Sequence, residues 1–565
     1  MRVSSPPKGR TRIMRFGMIA LLGIVALGGV LAVIHGLPAH AAQSNRTQYS
    51  ATKGVLTPVG VVNPRALPAD TSAGSVHSRA PRATHAHATA SAATASHIVA
   101  SSATVAAAKT GSLIRNFNGT SSHDSAVTNF GLEFEPPDQG LCVGNGFVLE
   151  PVNSAYNIYR NDGTLVVGPI NVNALFGEGL KQFTSDPRCL FDKATHTWFA
   201  SILFINDKNT AARTDLAVNT SGDPTTPWTI YHIDATDNGN HGMPNHPGCP
   251  CFGDQPLIGI DQFNVYISTN EFSILGSQFN GAQIYALSKS DLVALDHPVH
   301  FVHFDNLTSG GAIAASVQPA ITYGSSDAEY FMNSLDPNGT GDNRIGVWAL
   351  TNRNAVFQGN VPVLSSVVIT SEPYAIPPGA MQQGASSLLD SGDDRMQQVE
   401  NINGDLWGEL TTAVTISGDS TTRAGAAWFK VHAHLNGQVI GGASIRDQGY
   451  VAVAGNYLIY PAIQEASTGA VAMIMTLSGP TFFPSVVYGV LTPGQTQFTS
   501  LRIAAFGSGS YSPNSTRWGD YSFAVLDPNN QGIWLATEYV PPLSSQTPDG
   551  LQNWGTRVIE VNAKV

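Results

Sequence analysis

The stretch FGDQPLIGIDQFNVYIS (residues 252–268) passes from an acidic turn into an apolar strand, through a second turn, and into another strand. Its apolar runs are too short for helices, rich in β-branched and aromatic side chains, and bounded by Gly, Asp, Pro and Asn, which is the pattern of antiparallel strands. The same order recurs along the chain. A polar turn enters an apolar strand at PPDQGLCVGNGFVLE (Asp138), SDPRCLFDKATHTWFA (Asp186), SVQPAITYGSSDAEYFM (Gln318) and GDDRMQQVENINGDLWGE (Asp394). It does so again at RDQGYVAVAGNYLIY (Asp447) and RWGDYSFAVLDPNNQGIWLA (Asp520), and with Asp254 the successive intervals are 48, 68, 64, 76, 53 and 73 residues. Seven such units predict an all-β fold, a single large seven-bladed β-propeller over residues 125–565, in which ring closure buries the faces that each blade leaves open. The irregular spacing leaves a pair of β-sandwiches as the rival architecture. TIM-barrel and Rossmann folds are excluded, because helices of ten or more residues do not alternate with the strands.

The N-terminus has a different texture. Lys8, Arg10, Arg12 and Arg15 precede FGMIALLGIVALGGVLAVI, and Ala39-His40-Ala41 follows it. Basic flank, apolar run and small-residue exit predict a signal peptide over residues 1–41, cleaved after Ala41. At 19 residues the run is also long enough for an uncleaved anchor. Residues 42–124 are dominated by Ala, Ser, Thr, His and Pro and predict a disordered, low-complexity spacer, with His85, His87 and His97 incidental to it. Residues 1–110 carry eleven Lys and Arg against Asp70 alone, so the remainder holds 18 basic and 39 acidic residues, a net of −21. Such an acidic body repels phosphate backbones and argues against nucleic acid as a partner. The expected location is secreted or on the cell surface, with no membrane contact beyond the leader.

Cys142, Cys189, Cys249 and Cys251 are the only cysteines, and in an exported chain an even number reads as disulfides. Three pairings are open. Cys142–Cys189 with Cys249–Cys251 is favoured, because Cys142 and Cys189 follow Asp138 and Asp186 by four and three residues and so hold matching points on adjacent inner strands. A redox dithiol usually has two residues between its cysteines, so Cys249-Pro250-Cys251 reads as a structural clasp.

The run RWGDYSFAVLDPNNQGIWLATEYV, followed by NWGTRVIEV, resembles the C-terminal signature of secreted bacterial β-propeller proteins of poorly characterised function, related in shape to sialidases. DPRCLFDKATHTWFAS and CPCFGDQPLIGIDQFNVYISTNEF resemble early blade segments of that group. A sialidase-like site, if carried over, implies three arginines for a substrate carboxylate, a tyrosine nucleophile activated by Glu, and an Asp acid/base. On this chain those are Arg188, Arg395 and Arg517, Tyr521 or Tyr539 with Glu538, and Asp254 or Asp520. Arginine suits the first role because its planar fork pairs bidentately with a carboxylate. SGDPTTPW (residues 221–228) departs from the Asp-box turn of sialidases, lacking its Gly and shifting its Trp. The structural alternative is that each Asp accepts backbone N–H bonds at a blade entrance, that Arg517 pairs with an acid of a neighbouring blade, and that Trp518 packs between sheets.

Two metal readings arise from spacing. His232, His241 and His246 lie beside Asp234, Asp237 and Asp254 and can suit Zn²⁺ if the cysteines stay reduced. Asp336, Asp342 and Asn343 in DPNGTGDN, together with DATDNGN, offer the hard oxygens that calcium prefers. Glu133, Glu150, Glu271, Glu400, Glu409 and Glu538 are candidates for the paired carboxylates of glycoside hydrolysis. No zinc-protease, P-loop, nucleophile-elbow or dinucleotide motif occurs. The resulting expectation is an exported binding or scaffold module that recognises an extracellular glycan or protein through a propeller face. Its alternative is a sialidase-like glycoside hydrolase or polysaccharide lyase acting at a central pocket.

Overall fold

The structure is a computed structural model that describes residues 49–67, 98–109, 111–336, 339–511, 517–542 and 553–562. The leader over residues 1–41 and His85, His87 and His97 lie outside these. Among the described residues no helix is long and apolar enough to cross a membrane. They belong to one compact unit, an all-β propeller.

The sheets are built mainly from antiparallel meanders. One is Cys142–Gly144, Phe147–Val152, Ala155–Arg160 and Leu165–Ile170; the next begins with Phe183–Asp192, Thr197–Ile205, Ala212–Asn219 and Trp228–Asp234. The expected seven separate blades are overturned by the strand pairing. Five sheets of four or five strands stand alone as blades, eleven strands form one continuous sheet, and two short ribbons, Thr308–Ser309 with Ala312–Ile313 and Ala380–Gln382 with Ala385–Leu389, stand apart. The cause is Ile321–Tyr323, which leaves its neighbour Gln318–Pro319 and pairs parallel with Ile260 on one side and Glu400–Ile402 on the other. It thereby fuses the meander starting at Cys251–Ile260 to the one starting at Val399–Ile402.

The core lies between sheets and runs full circle. Trp198 and Ile158 fill the first gap, Tyr231 and Ile267 the next, and Trp348 packs with Tyr266 after that. Met332 with Phe429, Trp428 with Met473, and Tyr488 with Leu535 continue the series. Val143 and Val148 then meet Phe523 and Trp534, closing the last sheet on the first. The tryptophans are buried wedges in these gaps, as their sequence setting predicts.

The recurrent polar turns have a common cause. In three innermost strands two residues oppose one: Asp186-Pro187 face Ile202, Gln255-Pro256 face Thr269, and Tyr460-Pro461 face Met475. In each β-bulge the first residue is left-handed, at φ 58°, 53° and 51°, and the proline has no N–H to lose from the broken ladder. The left-handed residue's own N–H also leaves the ladder and needs a buried acceptor. The preceding sheet supplies it. Asp186 N donates to Asn153 Oδ1 at 2.9 Å, and Tyr460 N donates to Thr411 Oγ1 at 3.0 Å. Ser316, also left-handed, donates to Asn270 Oδ1 at 2.8 Å. At the ring closure Asp520 N donates to Asp138 Oδ1 at 3.0 Å. The sixth marker expected from sequence, Asp447, lies instead on the outer strand Val439–Val451, and Tyr460 holds the equivalent position.

The segment read as a spacer over residues 42–124 supplies five strands. Ala51–Leu56 pairs with the strand Val299–Phe304, and Gly60–Val62 with Trp228–Asp234. Val99–Ala100 adds in parallel to the end of Asp405–Ile416 in the 11-stranded sheet, and Thr104–Ala107 in parallel to Ser500–Ala505. Leu113–Ser121 is the outermost strand of the last sheet, antiparallel to Gly555–Val561. Four edges that would otherwise present unpaired backbone are covered in this way. Two disulfides add covalent ties: Cys142–Cys189, with Cα atoms 5.7 Å apart, joins the first two innermost strands, and Cys249–Cys251 closes a turn.

If the side chain on the neighbouring sheet satisfies a buried N–H at each bulge, removing it destabilises the ring. Asn153→Ala and Asn270→Ala are each expected to lower the unfolding free energy by about 1–3 kcal/mol, read as a lower urea midpoint at unchanged m-value.

Candidate functional site: an aspartate-lined axial mouth

The bulges put carboxyl groups at one end of the propeller axis. Asp138 and Asp186 are buried there, at 2% and 6% exposure, while Asp254 and Asp520 are partly open above them. Burial, followed by the charge of Asp520, holds the Asp138 carboxyl well above the ordinary carboxylate range. Burial, followed by Asp254 and Asp520, pushes Asp186 up to about 6. Both carboxyls feel the charge of Asp520, so Asp138 and Asp186 titrate as a coupled pair.

The rim above is made of ion pairs. Arg395 grips Asp393 through Nε (2.7 Å to Oδ1) and Nη2 (2.5 Å to Oδ2), and its Nη1 donates to Gln255 Oε1 at 2.5 Å. Arg517 Nη2 lies 2.5 Å from Asp520 Oδ2, and its Nε lies 3.3 Å from Asp390 Oδ2. The loop SGDDR before Val399–Ile402 thus meets the turn before Phe523–Leu526 across the mouth. A narrow axial crevice is lined by Arg188, Leu257, Gln318, Gln397 and Phe523 among others. The Arg188 guanidinium lies 3.6 Å from the Tyr521 ring centroid and 4.8 Å from that of Phe523, an arrangement in which the ring faces stabilise the cation.

Of the residues expected from sequence, the structure brings Arg395, Arg517, Asp254 and Asp520 to one mouth and sets Arg188 below it. It does not assemble a sialidase nucleophile. Tyr539 donates its phenol to Asn118 Oδ1 at 2.6 Å, on the outermost strand of the last sheet. Tyr521 is buried under Arg188, and burial followed by Asp186 raises its phenol far above the usual value. Glu538 is fully buried with neither oxygen hydrogen-bonded and is held neutral chiefly by burial. It lies directly under Gly519, where an added Cβ would come within 2.8 Å of the carboxyl. Glu150, Glu400 and Glu409 are likewise buried within sheets, and Glu133 sits beside Asn553.

The expected calcium loop is already satisfied. Asp336 accepts from Thr340 N and Gly341 N at 2.9 and 2.7 Å, Asn343 N donates to Asp342 Oδ1 at 2.7 Å, and Asp342 pairs with Arg344 through two bonds of 2.9 and 2.6 Å. The three expected histidines separate. His241 faces Asp234 on the surface, and His232 lies near Glu178 and Asp215, a grouping that Arg213 already neutralises. His246 joins Asp237 and Glu271, which with Glu178–Asp215–His232 and Cys249–Cys251–Glu271 makes three groupings close enough to hold an ion. Burial followed by Glu271 pushes the Asp237 carboxyl up to about 8, whereas Asp305 and Glu271 outweigh burial to push His246 up to about 10. Sequence spacing finds Asp237 and His246; Glu271 and Asp305 join them only because sheet register carries them to the same end.

No family model matches the chain, and no curated protein is similar to it. Solved structures similar to it include an unknown-function protein from Dyadobacter fermentans DSM 18053, at 11% identity over 68% of this chain and 96% of that one, with TM-score 0.30. Another is the GH93 α-L-arabinofuranosidase of Fusarium graminearum with arabinobiose, at 8% identity over 79% and 98%, TM-score 0.33. A third is the parainfluenza virus 5 hemagglutinin-neuraminidase ectodomain, at 10% identity over 68% and 81%, TM-score 0.33. Likenesses this distant assign no chemistry.

The mouth has a thermodynamic signature. Because Asp186 binds its proton more tightly folded than unfolded, stability from this group is full below pH 4 and is lost as pH rises through 6. Asp186→Asn removes that loss. The variant is expected to match the parent near pH 4 and exceed it by up to about 2–3 kcal/mol at pH 8, measured by urea unfolding across the pH series.

Proposed function

We propose that the axial mouth binds a glycan and cleaves a glycosidic bond by carboxyl chemistry, which makes the protein a glycoside hydrolase. The observation that supports this is the buried Asp138–Asp186 pair, with both carboxyls pushed above the ordinary range and Asp186 to about 6, beside Asp520, which is ion-paired and partly exposed. Glycoside cleavage needs that asymmetry, one carboxyl protonated as acid and another ionised to activate water or attack. In this reading Asp186 passes its proton to the glycosidic oxygen as the C–O bond breaks, and Asp520 or Asp254 takes up the proton from the incoming water. The rim pairs Arg395–Asp393 and Arg517–Asp390 present donors and acceptors to sugar hydroxyls. The sialidase variant of the chemistry is not favoured, since Arg395 and Arg517 already hold carboxylates. Two disulfides and the acidic body support action outside the cytoplasm.

A second reading has its own support. Both oxygens of Asp138 are engaged, one by Asp520 N and the other by Asn153 Nδ2 at 2.8 Å. A clasp of this kind holds a rigid mouth that binds glycans without cleaving them.

A panel of polysaccharides and aryl glycosides, followed by product analysis, separates the two. Hydrolysis is expected, with kcat falling about 10²–10⁴-fold in Asp186→Asn and Asp520→Asn while KM changes little. Glycan binding with no turnover on any substrate leaves the binding module, and full activity in Asp186→Asn removes the assigned acid.

A further inference from the structure

One strand out from the mouth, Glu271 sits opposite Gly253, next to the pair Asp254–Asn270. We propose that Asp237, Glu271 and His246 Nδ1 form a binding site for one divalent cation of the zinc–manganese class, with Asp305 as the positioning residue that fixes the His246 ring.

Asp237 is the strongest sign. It is 1% exposed, and neither of its carboxylate oxygens has a hydrogen-bond partner. Folding normally leaves no such group orphaned, because an unpaired buried acceptor is costly. Its ligand atom, that of Glu271 and that of His246 all lie within 4.8 Å of one another. A cation with bonds of about 2.0–2.2 Å spans such a triangle after a modest contraction.

The imidazole is aimed as a ligand is. Nδ1 faces Glu271 Oε2 at 2.9 Å and Asp237 Oδ2 at 3.8 Å, while Nε2 meets Asp305 Oδ2 at 3.2 Å. A carboxylate on the far nitrogen of a metal-binding histidine sets its tautomer and ring plane. Among the described residues, the ion pairs of Asp237, Glu271 and Asp305 all run to His246 and none to Lys or Arg. Three carboxylates therefore share one imidazole, and a divalent ion makes good the missing positive charge. Elsewhere in the molecule clustered acids already have an arginine, as Asp215 has Arg213 and Asp261 has Arg353.

The loop that carries two of the ligands is firmly held. Asp237 is left-handed at φ 46°, a strained setting for a residue other than glycine. His246 N donates to Asp237 O, Cys251 N to Thr236 O, and Ser273 Oγ to Gly248 O, and the Cys249–Cys251 disulfide ties the loop's end. Because those sulfurs are bonded to each other, they are not ligands. The donor set is then one nitrogen and carboxylate oxygens, which suits Zn²⁺ or Mn²⁺ better than the all-oxygen preference of Ca²⁺ or Mg²⁺.

The test uses the full chain, disulfides intact, stripped with chelator and titrated calorimetrically with Zn²⁺, Mn²⁺ and Ca²⁺ separately. One equivalent of Zn²⁺ or Mn²⁺ is expected to bind and to raise the melting temperature. Asp237→Asn is isosteric and asparagine tolerates the left-handed backbone, so the variant is expected to fold, and it should weaken binding at least 100-fold. Asp305→Asn should weaken it about 10-fold with stoichiometry retained. No uptake, uptake of Ca²⁺ alone, or uptake unchanged by Asp237→Asn would each overturn the site.

Discussion

The architecture depends on bonds between sheets, in which a backbone N–H at an innermost turn, twice that of a left-handed bulge residue, is accepted by a side chain on the neighbouring sheet. A ring of sheets held by apolar contacts alone has little to set its rotational register, since burial is non-directional. The bonds from Asp186 to Asn153, Ser316 to Asn270 and Tyr460 to Thr411 supply direction. At the seam between last and first sheets the acceptor is the Asp138 carboxylate itself. The residue that closes the ring is therefore also one of the two buried carboxyls at its mouth.

This coupling explains why the site is acidic and yet folded. Gathering Asp138, Asp186, Asp254 and Asp520 at one end sets like charges against each other, and burial compounds the cost. The molecule answers in two ways. Below, it raises the proton affinity of the buried pair; above, it brings in Arg395 and Arg517 as counter-charges. Arg188 adds a third cation whose support comes from the faces of Tyr521 and Phe523.

Much of the fold was legible in the sequence. The turn-plus-strand repeat marked the entrances of strands such as Phe183–Asp192 and Cys251–Ile260 but not how the strands group into sheets, and Asp-Pro and Gln-Pro marked two of the bulges. Tyr460-Pro461 was missed because its left-handed residue is aromatic rather than acidic, so Asp447 drew the eye instead. The fusion through Ile321–Tyr323 was invisible, since parallel pairing of three residues leaves no local pattern. The edge strands at residues 51–121 were read as spacer because each is short and half-exposed, with small side chains and one thin apolar face. At the site, Arg395, Arg517, Asp254 and Asp520, which the sequence had marked as candidates, lie close enough to feel one another's charge. Their partners Asp390 and Asp393 were not marked, because across-the-mouth pairing depends on ring geometry. The Tyr539–Glu538 pairing failed for a simpler reason. Adjacent residues on a strand point to opposite faces.

The edge strands also bear on when the molecule can be finished. Leu113–Ser121 is made long before its partner Gly555–Val561. Thr104–Ala107 waits for Ser500–Ala505, and Ala51–Leu56 for Val299–Phe304. Contacts so distant along the chain slow closure, since each large loop must be shut before its pairing gains anything. Until those later partners are made, the early strands have no sheet to join, and the ring stays open until Gly555–Val561 is available.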